Sequence, residues 1–385
     1  MLVDMHAHYP MHVLDETPHA GIPLGRWRAE RLRAGVVDLI SRFANYEGPG
    51  DTPSVTMDLI REGGVGVVLS VLYQPFDEID PGAAFGEPPG PGAPGGLLDQ
   101  LATVEAEIES GHARVALVVR SRADLDRALA EGLTAMVHCV EGGFALGADG
   151  DQVRRTVAAL ARHGVAYVTL AHLFWRRVAT NAPALPFLSD RVYHLLFRQP
   201  RREGLGELGR TAVDALVAHR VLIDVTHMSR PALAETLDRL DGDPRARGVP
   251  VIASHGACDL GHGPEYNLGR DAVVRIAARG GVIGLIDCAH YLAFGARRPP
   301  ATLDQSVEVV CRHIDRLAEW TGGFDHVAIG TDLDGYIKPA LAGLKDAGAL
   351  RELERRLGER YGPADAEKIC SANALRMLHY RYPPA

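Results

Sequence analysis

Histidines and carboxylates recur along this sequence directly after short runs of apolar residues. The run Leu2–Met5 is followed by the pair His6-Ala-His8. Five further runs are followed in the same way, and the residues concerned are Glu141, His172, His227, His255 and Asp332. One histidine in an apolar context is usually a hydrogen-bonded core residue. The repeated placement of these residue types after six runs indicates a shared site rather than chance.

These residue types are suited to binding a transition metal. Imidazole nitrogen and carboxylate oxygen are normal zinc donors, and a catalytic zinc keeps a position open for water. His6 and His8 are two residues apart, so a strand would place both imidazoles on one face. Four histidines and a carboxylate exceed what one catalytic ion needs. The set therefore predicts two zinc ions per chain, which in two-metal hydrolases lie ~3.5–4 Å apart.

The composition narrows the choice of an anionic bridge between two such ions. Some two-metal hydrolases use a carboxylated lysine, but only three of the 41 basic residues here are lysines. They are Lys338, Lys345 and Lys368, and all three follow Asp332 in the sequence. Because no lysine follows an earlier apolar run, the bridge has to be a side-chain carboxylate. Glu141 is the best-placed candidate.

The apolar runs also predict the fold, because amphipathic stretches such as Asp151–His163 and Leu303–Trp320 separate them. Continuous Val/Ile/Leu runs are typical of parallel strands that are buried on both faces. The alternation favours a (β/α)8 TIM barrel, in which all strands end on the face that carries the active site. Nine runs compete for eight strands, and Arg114–Val119 is predicted to be the extra one. The runs are Leu2–Met5, Val65–Leu72, Arg114–Val119, Thr134–Cys139, Tyr167–Leu170, Val221–Val225, Pro250–Ser254, Val282–Ile286 and His326–Gly330.

The sequence shows no convincing domain boundary, so residues 1–385 are predicted to form one hydrolase barrel domain. Gly82–Gly96 is rich in proline and glycine, but it is short and lies between a predicted strand and a helix. We interpret it as part of a loop insertion at about 77–96, with a second insertion at about 180–204. Leu341–Tyr380 is predicted to be a C-terminal helical appendix.

Composition excludes several classes of function. The chain has 385 residues, a hydrophobic share of 46% and a formal net charge of −8, which argues against nucleic acid or an anionic membrane as a partner. No apolar run reaches the ~18 residues of a transmembrane helix. The absence of a recognisable signal peptide and five scattered cysteines without a CxxC pair predict a cytoplasmic protein with reduced thiols. A homodimer is compatible with these features, and so is a monomer.

The residues after the apolar runs, together with their neighbours, resemble the membrane (renal) dipeptidase family, a group of dizinc barrel peptidases. The resemblance extends over nearly the whole chain. It rests on Asp4-Met-His6-Ala-His8, Glu141-Gly-Gly, Tyr167-Val-Thr-Leu-Ala-His172, Asp224-Val-Thr-His227-Met-Ser, Pro250-Val-Ile-Ala-Ser-His255, Gly330-Thr-Asp332-Leu-Asp-Gly and Ser371-Ala-Asn373-Ala-Leu-Arg.

The resemblance implies a role for each residue at a motif position. One metal ion would be bound by His6 and His8, the other by His227 and His255, with Glu141 bridging them. His172 would contact the substrate, and Asp332 would transfer protons. Asp4 and Asp224 are interpreted as residues that orient the ligands or support the barrel.

Two departures from the family bear on the chemistry. The family usually has aspartate at the second position of its first motif, where this chain has His8, so the site gains one unit of positive charge. That change should make a metal-bound water more acidic or alter the metal preference. The family's arginine-asparagine pair, whose arginine holds the substrate carboxylate, reads Tyr266-Asn267 here, and the nearest arginine is Arg270. Tyr266 and Arg270 are therefore both candidate substrate-binding residues.

The sequence thus predicts a dinuclear metal-dependent hydrolase that cleaves the amide bond of a small substrate, with a dipeptide favoured, through a metal-bridging hydroxide. His172 would help to hold the oxyanion, and Asp332 would pass the water proton to the leaving amine. One alternative is an amidohydrolase or lactonase acting on a substrate such as an N-acyl amino acid. Another is a barrel retained as a binding or structural subunit without turnover, although no predicted ligand or base is missing.

Overall fold

The computed structural model describes residues 1–15, 52–78, 86–88, 90, 92–185, 187–200, 202–261, 263–335 and 340–384. The predicted insertion at about 77–96 lies partly outside the described residues. Lys338 also lies outside them. The segment 180–204, predicted as an irregular insertion, contains a short helix at Asp190–Leu196.

Each of the nine predicted runs forms a strand, and all pairings between these strands are parallel. Continuous apolar sequence suits this arrangement because both faces of such strands are covered. The strands are β1 (Leu2–Ala7), β2 (Val65–Tyr73), β3 (Ala116–Val118), β4 (Thr134–Glu141), β5 (Tyr167–Thr169), β6 (Leu222–Asp224), β7 (Val251–Gly256), β8 (Val282–Leu285) and β9 (Val327–Ile329).

Eight of these strands close into a barrel. β1 pairs with β2 on one side and β9 on the other, while β4 to β9 pair in sequence order. The ring is closed where β2 meets β4, from Val67 opposite Ala135 to Tyr73 opposite Glu141. β3 pairs only with the beginning of β4 and stays outside the ring. The structure therefore confirms the TIM barrel and the assignment of Arg114–Val119 as the extra strand.

Helices connect the strands and surround the barrel. Six of the helices in the described residues begin at a residue whose side chain accepts a hydrogen bond from a backbone N–H of the first turn, as Ser121 does for α5. The helices in the described residues are α1 (Pro10–Asp15), α2 (Met57–Glu62), α3 (Pro75–Glu78), α4 (Ala93–Gly111), α5 (Arg122–Glu131), α6 (Gly150–Arg162), α7 (Asp190–Leu196), α8 (Glu207–Ala218), α9 (Arg230–Gly242), α10 (Arg270–Ala278), α11 (Ala289–Leu292), α12 (Leu303–Thr321), α13 (Leu350–Tyr361), α14 (Pro363–Glu367) and α15 (Asn373–Arg381).

The C-terminal helices α13 to α15 form the predicted appendix, with a π-helical segment at Lys368–Ala372 joining the last two. α15 packs against β1, β8 and β9. No helix in the described ranges is long and apolar enough to cross a membrane.

The alternation of side chains along β4 shows how the barrel carries a functional residue to its end. Val137 and Cys139 belong to one buried cluster, whereas Met136 and Val140 belong to another. Successive residues of a strand point to opposite faces. Glu141, two residues after Cys139, therefore continues the row of Val137 and Cys139 at the C-terminal end of the strand.

Two glycines let neighbouring strands approach β7 closely. A Cβ atom on Gly284 of β8 would lie 2.0 Å from the carbonyl oxygen of Ser254, and one on Gly330, just after β9, would lie 1.9 Å from it. No side chain fits at such distances, so glycine is required at both positions. This close packing holds Ser254 and the adjacent His255 in the wall of the barrel.

Candidate metal centre

The C-terminal ends of the strands bring seven of the predicted residues into one cluster. His6 and His255 lie within β1 and β7, Glu141 is the last residue of β4, and the others follow β1, β5, β6 and β9 within three residues. The cluster consists of His6, His8, Glu141, His172, His227, His255 and Asp332. Six of its members are buried, and the Asp332 side chain is 14% exposed. Its position at the active-site end of a TIM barrel agrees with the prediction.

Glu141 lies at the centre of the cluster. Its Oε1 atom is 3.5 Å from His6 Nε2, 3.4 Å from His227 Nε2 and 3.4 Å from His255 Nε2. The Oε2 atom is 3.3 Å from His8 Nε2 and 3.5 Å from His172 Nε2. One carboxylate thus faces five imidazoles, which is the arrangement expected of a bridging ligand.

The imidazoles form two close pairs. His6 Nε2 is 3.2 Å from His8 Nε2, and His227 Nε2 is 3.0 Å from His255 Nε2. Asp332 extends the first pair, since its Oδ1 atom is 3.0 Å from His8 Nε2 and 3.6 Å from His6 Nε2. Side-chain donors therefore converge on both sides of Glu141.

The ionisation of the cluster favours cation binding. Burial alone would raise the pKa of Glu141, but the neighbouring His172 and His6 hold that pKa well below its usual range. Burial lowers the pKa of His227 and, still further, that of His255. Glu141 is therefore an anion near neutral pH, while His227 and His255 are neutral rings that can offer a nitrogen lone pair.

His8 differs from these two histidines. Burial disfavours its charged form, but hydrogen bonds to Asp332 and Glu141 raise the pKa of His8 to about 9. The resemblance noted in the sequence implies aspartate at this position, so the two carboxylates around His8 face an imidazole instead of a third carboxylate.

Ser254 and Asp224 orient one histidine from each pair. Ser254 Oγ donates to Asp224 Oδ2 at 2.6 Å, so it can only accept from the rings beside it. His255 Nδ1 lies 2.9 Å from this hydroxyl and His6 Nδ1 lies 3.1 Å from it. Tyr167, whose hydroxyl donates to the Met5 carbonyl, also accepts from His6 Nδ1. Both rings therefore carry hydrogen on Nδ1, and their Nε2 lone pairs face the cluster.

The backbone is strained at two members of the cluster. His227 has φ 66° and Asp332 has φ 59°, in the left-handed region that residues other than glycine rarely adopt. Such strain persists where surrounding contacts hold it in place, and it concentrates at functional sites. Here the Asp332 N–H donates to the His6 carbonyl, and the His227 carbonyl accepts from the Ala182 N–H.

The spacing and chemistry of the donors fit a bound metal. Donors bound at about 2.0–2.1 Å around a tetrahedral ion are ~3.3 Å apart. The contacts between imidazole nitrogens and carboxylate oxygens in the two halves span 3.0–3.6 Å. Glu141 Oε1 is buried and has no hydrogen-bond donor among the described residues. A cation would satisfy this oxygen and relieve the repulsion between the facing lone pairs.

The two predicted substrate residues lie in different surroundings. Tyr266 is buried, its hydroxyl donates to the His255 carbonyl at 2.7 Å, and its ring lies 5.1 Å from that of His227. Arg270 is the first residue of α10 and is exposed. Within the described part of the chain, it makes no hydrogen bond or ion pair and does not contact the cluster.

The residues that contact the cluster and that the sequence analysis missed include Ser254 and Glu78. Ser254 directly precedes His255, and its adjacency to a predicted ligand was the available signal. Glu78 is fully buried in α3, and its Oε2 atom lies 2.6 Å from His172 Nδ1. The helix α3 follows β2, and it brings the Glu78 carboxylate to the site five residues after the strand ends.

We predict that Ser254→Ala weakens metal binding, measured with zinc, by about 10–100-fold, as expected when the hydrogen-bond partner of a metal ligand is lost. His255 should be affected more than His6, because Tyr167 still accepts from His6 Nδ1. Competition with a chromogenic chelator measures this change. Ser306→Ala is a matched control, since Ser306 is also buried but donates to the Ala342 carbonyl. Equal zinc affinity of the Ser254 variant and the wild type would contradict the prediction.

Comparison with known proteins identifies the family to which this chain belongs. A family model for membrane dipeptidase, peptidase family M19, matches residues 1–381. An uncharacterised protein in the pqqA 5′ region of Klebsiella pneumoniae is 27% identical over 289 residues, covering 75% of this chain and 97% of that protein. Dipeptidase tcpJ of Claviceps purpurea is 25% identical over 262 residues, covering 66% of this chain and 53% of tcpJ. This chain therefore spans about half the length of that fungal dipeptidase.

A solved structure shares the fold over almost its full length. It is a metallopeptidase from Rhodobacter sphaeroides, liganded with a phosphinate mimic of the dipeptide L-Ala-D-Ala. It superposes with a TM-score of 0.71 at 20% sequence identity and covers 99% of each chain. Because the family model spans nearly the entire sequence, this chain belongs to the membrane dipeptidase family, peptidase family M19.

Proposed function

We propose that this protein is a dipeptidase that uses two zinc ions. The observation that carries the proposal is the position of the Glu141 carboxylate, which faces imidazole nitrogens from both close pairs. A single carboxylate in this position can serve two cations at once. Family membership supports hydrolysis of a dipeptide, and the donor set of imidazoles and carboxylates supports zinc.

The residues present divide naturally between two ions. His6 and His8, with Asp332 beside them, would hold one, and the pair His227 and His255 would hold the other, with Glu141 shared. When bound, the ions supply Lewis acidity that polarises the amide carbonyl and make a water molecule acidic enough to attack near neutral pH.

Two side chains would supply the remaining chemistry: His172 would stabilise the oxyanion, and Asp332 would transfer the proton. Burial would lower the pKa of His172, but the charges of Glu141 and Glu78 raise it, so the ring can donate from Nε2 to the substrate carbonyl oxygen as negative charge develops. Asp332 is the most exposed member of the cluster. Its carboxylate accepts the proton of the attacking water and returns it to the leaving amine.

The substrate contacts Tyr266 and Arg270 in this proposal. The Tyr266 hydroxyl is used by the His255 carbonyl, so Tyr266 offers its ring rather than a hydrogen bond. That ring stacks on Tyr291 at 4.1 Å and forms an apolar wall beside His227. Arg270 opens the helix that follows β7, so it lies at the same end of the barrel as the cluster, and its guanidinium would bind the C-terminal carboxylate of the dipeptide.

We therefore expect Arg270→Ala to raise KM for free dipeptides about 10–100-fold, the cost of losing a charged hydrogen bond. Dipeptides with an amidated C-terminus lack the carboxylate and should be affected much less. Steady-state kinetics on matched free and amidated substrates test this. Equal losses for both substrates, or none, would make Arg270 a surface residue and favour the alternative of an amidohydrolase or lactonase acting on a non-dipeptide substrate such as an N-acyl amino acid.

The function itself is tested by measuring metal content together with substrate range. Purified protein should contain two zinc ions per chain, lose activity to a chelator and regain it with zinc. A panel of L,L- and L,D-dipeptides should be hydrolysed in preference to lactones and N-acyl amino acids. A metal-loaded protein that cleaves only the latter compounds would replace the dipeptidase assignment, and one that cleaves nothing would favour a binding role.

A further inference from the structure

We propose that Glu78 is a positioning residue for His172, forming with it a buried carboxylate–imidazole pair outside the metal ligand set. The inference rests on the proposed function for its kinetic consequence, but the pairing itself is a property of the structure. Glu78 Oε2 lies 2.6 Å from His172 Nδ1, and the ring's other nitrogen, Nε2, faces Glu141 at 3.5 Å. Glu78 thus lies behind His172 as seen from the metal centre.

Three donors, between them, reach both oxygens of the Glu78 carboxylate. Besides His172 Nδ1, its Oε2 atom accepts from the Tyr73 hydroxyl at 2.7 Å, and its Oε1 atom accepts from the Phe174 N–H at 2.9 Å. Glu78 has no exposed surface, and His172 is 8% exposed. A buried carboxylate is stable only with such partners. These three donors therefore fix the position of the Glu78 carboxylate, and His172 is one of them.

This contact determines which nitrogen of His172 carries hydrogen. A carboxylate with three surrounding donors accepts from Nδ1–H whether the ring is neutral or charged. The ring therefore cannot turn over without losing this bond, and Nε2 remains directed at the cluster. The Tyr73 ring, 4.6 Å from the ring of His172 and nearly perpendicular to it at 74°, further restricts its rotation.

A contact from Arg176 also holds the backbone of Glu78 in place. Arg176, which follows β5 as His172 does, donates to the Glu78 carbonyl and to the Glu87 carbonyl. Its neighbour Arg177 donates to the Gly86 carbonyl at 3.0 Å. The segment that carries His172 therefore also contacts the backbone of Glu78.

Glutamine at position 78 cannot reproduce this arrangement. If the amide oxygen accepts from the Phe174 N–H, the amide NH2 faces His172 Nδ1, which must then give up its hydrogen. If the oxygen faces His172 instead, the NH2 opposes the Phe174 N–H. Glu78→Gln therefore preserves shape but changes the state or the position of the His172 ring.

The experiment combines a structural and a kinetic measurement on the zinc-loaded full chain. In protein labelled with ¹⁵N at histidine, the wild type should show a hydrogen-bonded Nδ1–H signal that disappears in His172→Gln. Glu78→Gln should lose this signal or shift it, because the amide either removes the hydrogen from Nδ1 or displaces the ring. It should lower kcat for a dipeptide about 10–100-fold, the usual effect of removing such a supporting partner, with a smaller change in KM and unchanged zinc content.

Two controls separate this role from general stability. Tyr73→Phe removes another donor from the same oxygen, and it should lower thermal stability about as much as Glu78→Gln while retaining the Nδ1–H signal and most of kcat. In a His172→Gln background, Glu78→Gln should cause no further loss of kcat, because a residue that acts through His172 has nothing left to position.

The Nδ1–H measurement tests the Glu78–His172 pair independently of whether the protein cleaves dipeptides. If wild type cleaves no dipeptide, the function is wrong, but the Nδ1–H measurement still tests the pair. The inference is overturned if Glu78→Gln leaves the Nδ1–H signal unchanged, if it lowers kcat equally with and without His172, or if Tyr73→Phe reproduces its kinetic effect.

Discussion

Glu141→Gln should release at least one zinc ion and lower dipeptidase activity by at least about 100-fold, since removing a ligand costs more than removing a supporting partner. The amide keeps the shape of the carboxylate but removes its charge. Its NH2 group would also direct hydrogens toward imidazole nitrogens on one side of the cluster. Metal analysis after gel filtration and steady-state kinetics measure the two losses.

The fold should survive this substitution, because the barrel is held together by apolar clusters on both faces of its strands. Circular dichroism and thermal unfolding of the metal-free proteins check this expectation. Glu105→Gln is the matched control: Glu105 is also buried, but it pairs with Arg120 on the outside of the barrel. Two zinc ions and full activity in the Glu141 variant would refute its assignment as the bridge.

Asp332→Asn is expected to lower kcat about 100- to 10,000-fold, the usual contribution of a general acid–base residue. Asparagine tolerates the left-handed backbone at this position, so the loop should keep its conformation. Zinc binding should persist through the four paired histidines and Glu141. Single-turnover kinetics with zinc-saturated protein separate the chemical step from binding.

Asp334→Asn provides the comparison for this variant. Asp334 has the same φ of 59°, but its carboxylate accepts from the Ser54 and Val55 N–H groups instead of facing the metal centre. It should remain active with some loss of stability. If Asp332→Asn were active while Asp334→Asn were not, the proton acceptor would have to be assigned elsewhere.

The topology of a parallel barrel explains why the cluster could be predicted. Every strand ends on the same side, so a residue directly after an apolar run has its approximate position set by local sequence alone. His172, His227 and Asp332 each follow a strand by three residues, and all three reach the site. An eight-stranded ring likewise leaves no position for a ninth strand, so one of the nine predicted runs had to lie outside it.

Glu78 could not be predicted by the same argument. It lies five residues beyond β2, and its direction depends on α3 and on hydrogen bonds from Phe174 and Arg176, which are far away in sequence. The role of Ser254 depends on a hydroxyl reaching the rings of two different strands. The position of Arg270 depends on how a helix packs outside the barrel. Such contacts depend on tertiary packing, which the periodicity of the strands does not predict.

The shared hydroxyl of Ser254 couples the two halves of the centre thermodynamically. It accepts from His6 in one half and from His255 in the other. A cation on one ring makes that ring a stronger donor and leaves less electron density on the oxygen for the other ring. Repulsion between the cations acts in the same direction. The ions should therefore bind with negative cooperativity, and since such coupling is reciprocal, the same factor, on the order of 5–150-fold for typical linked sites, applies whichever half fills first.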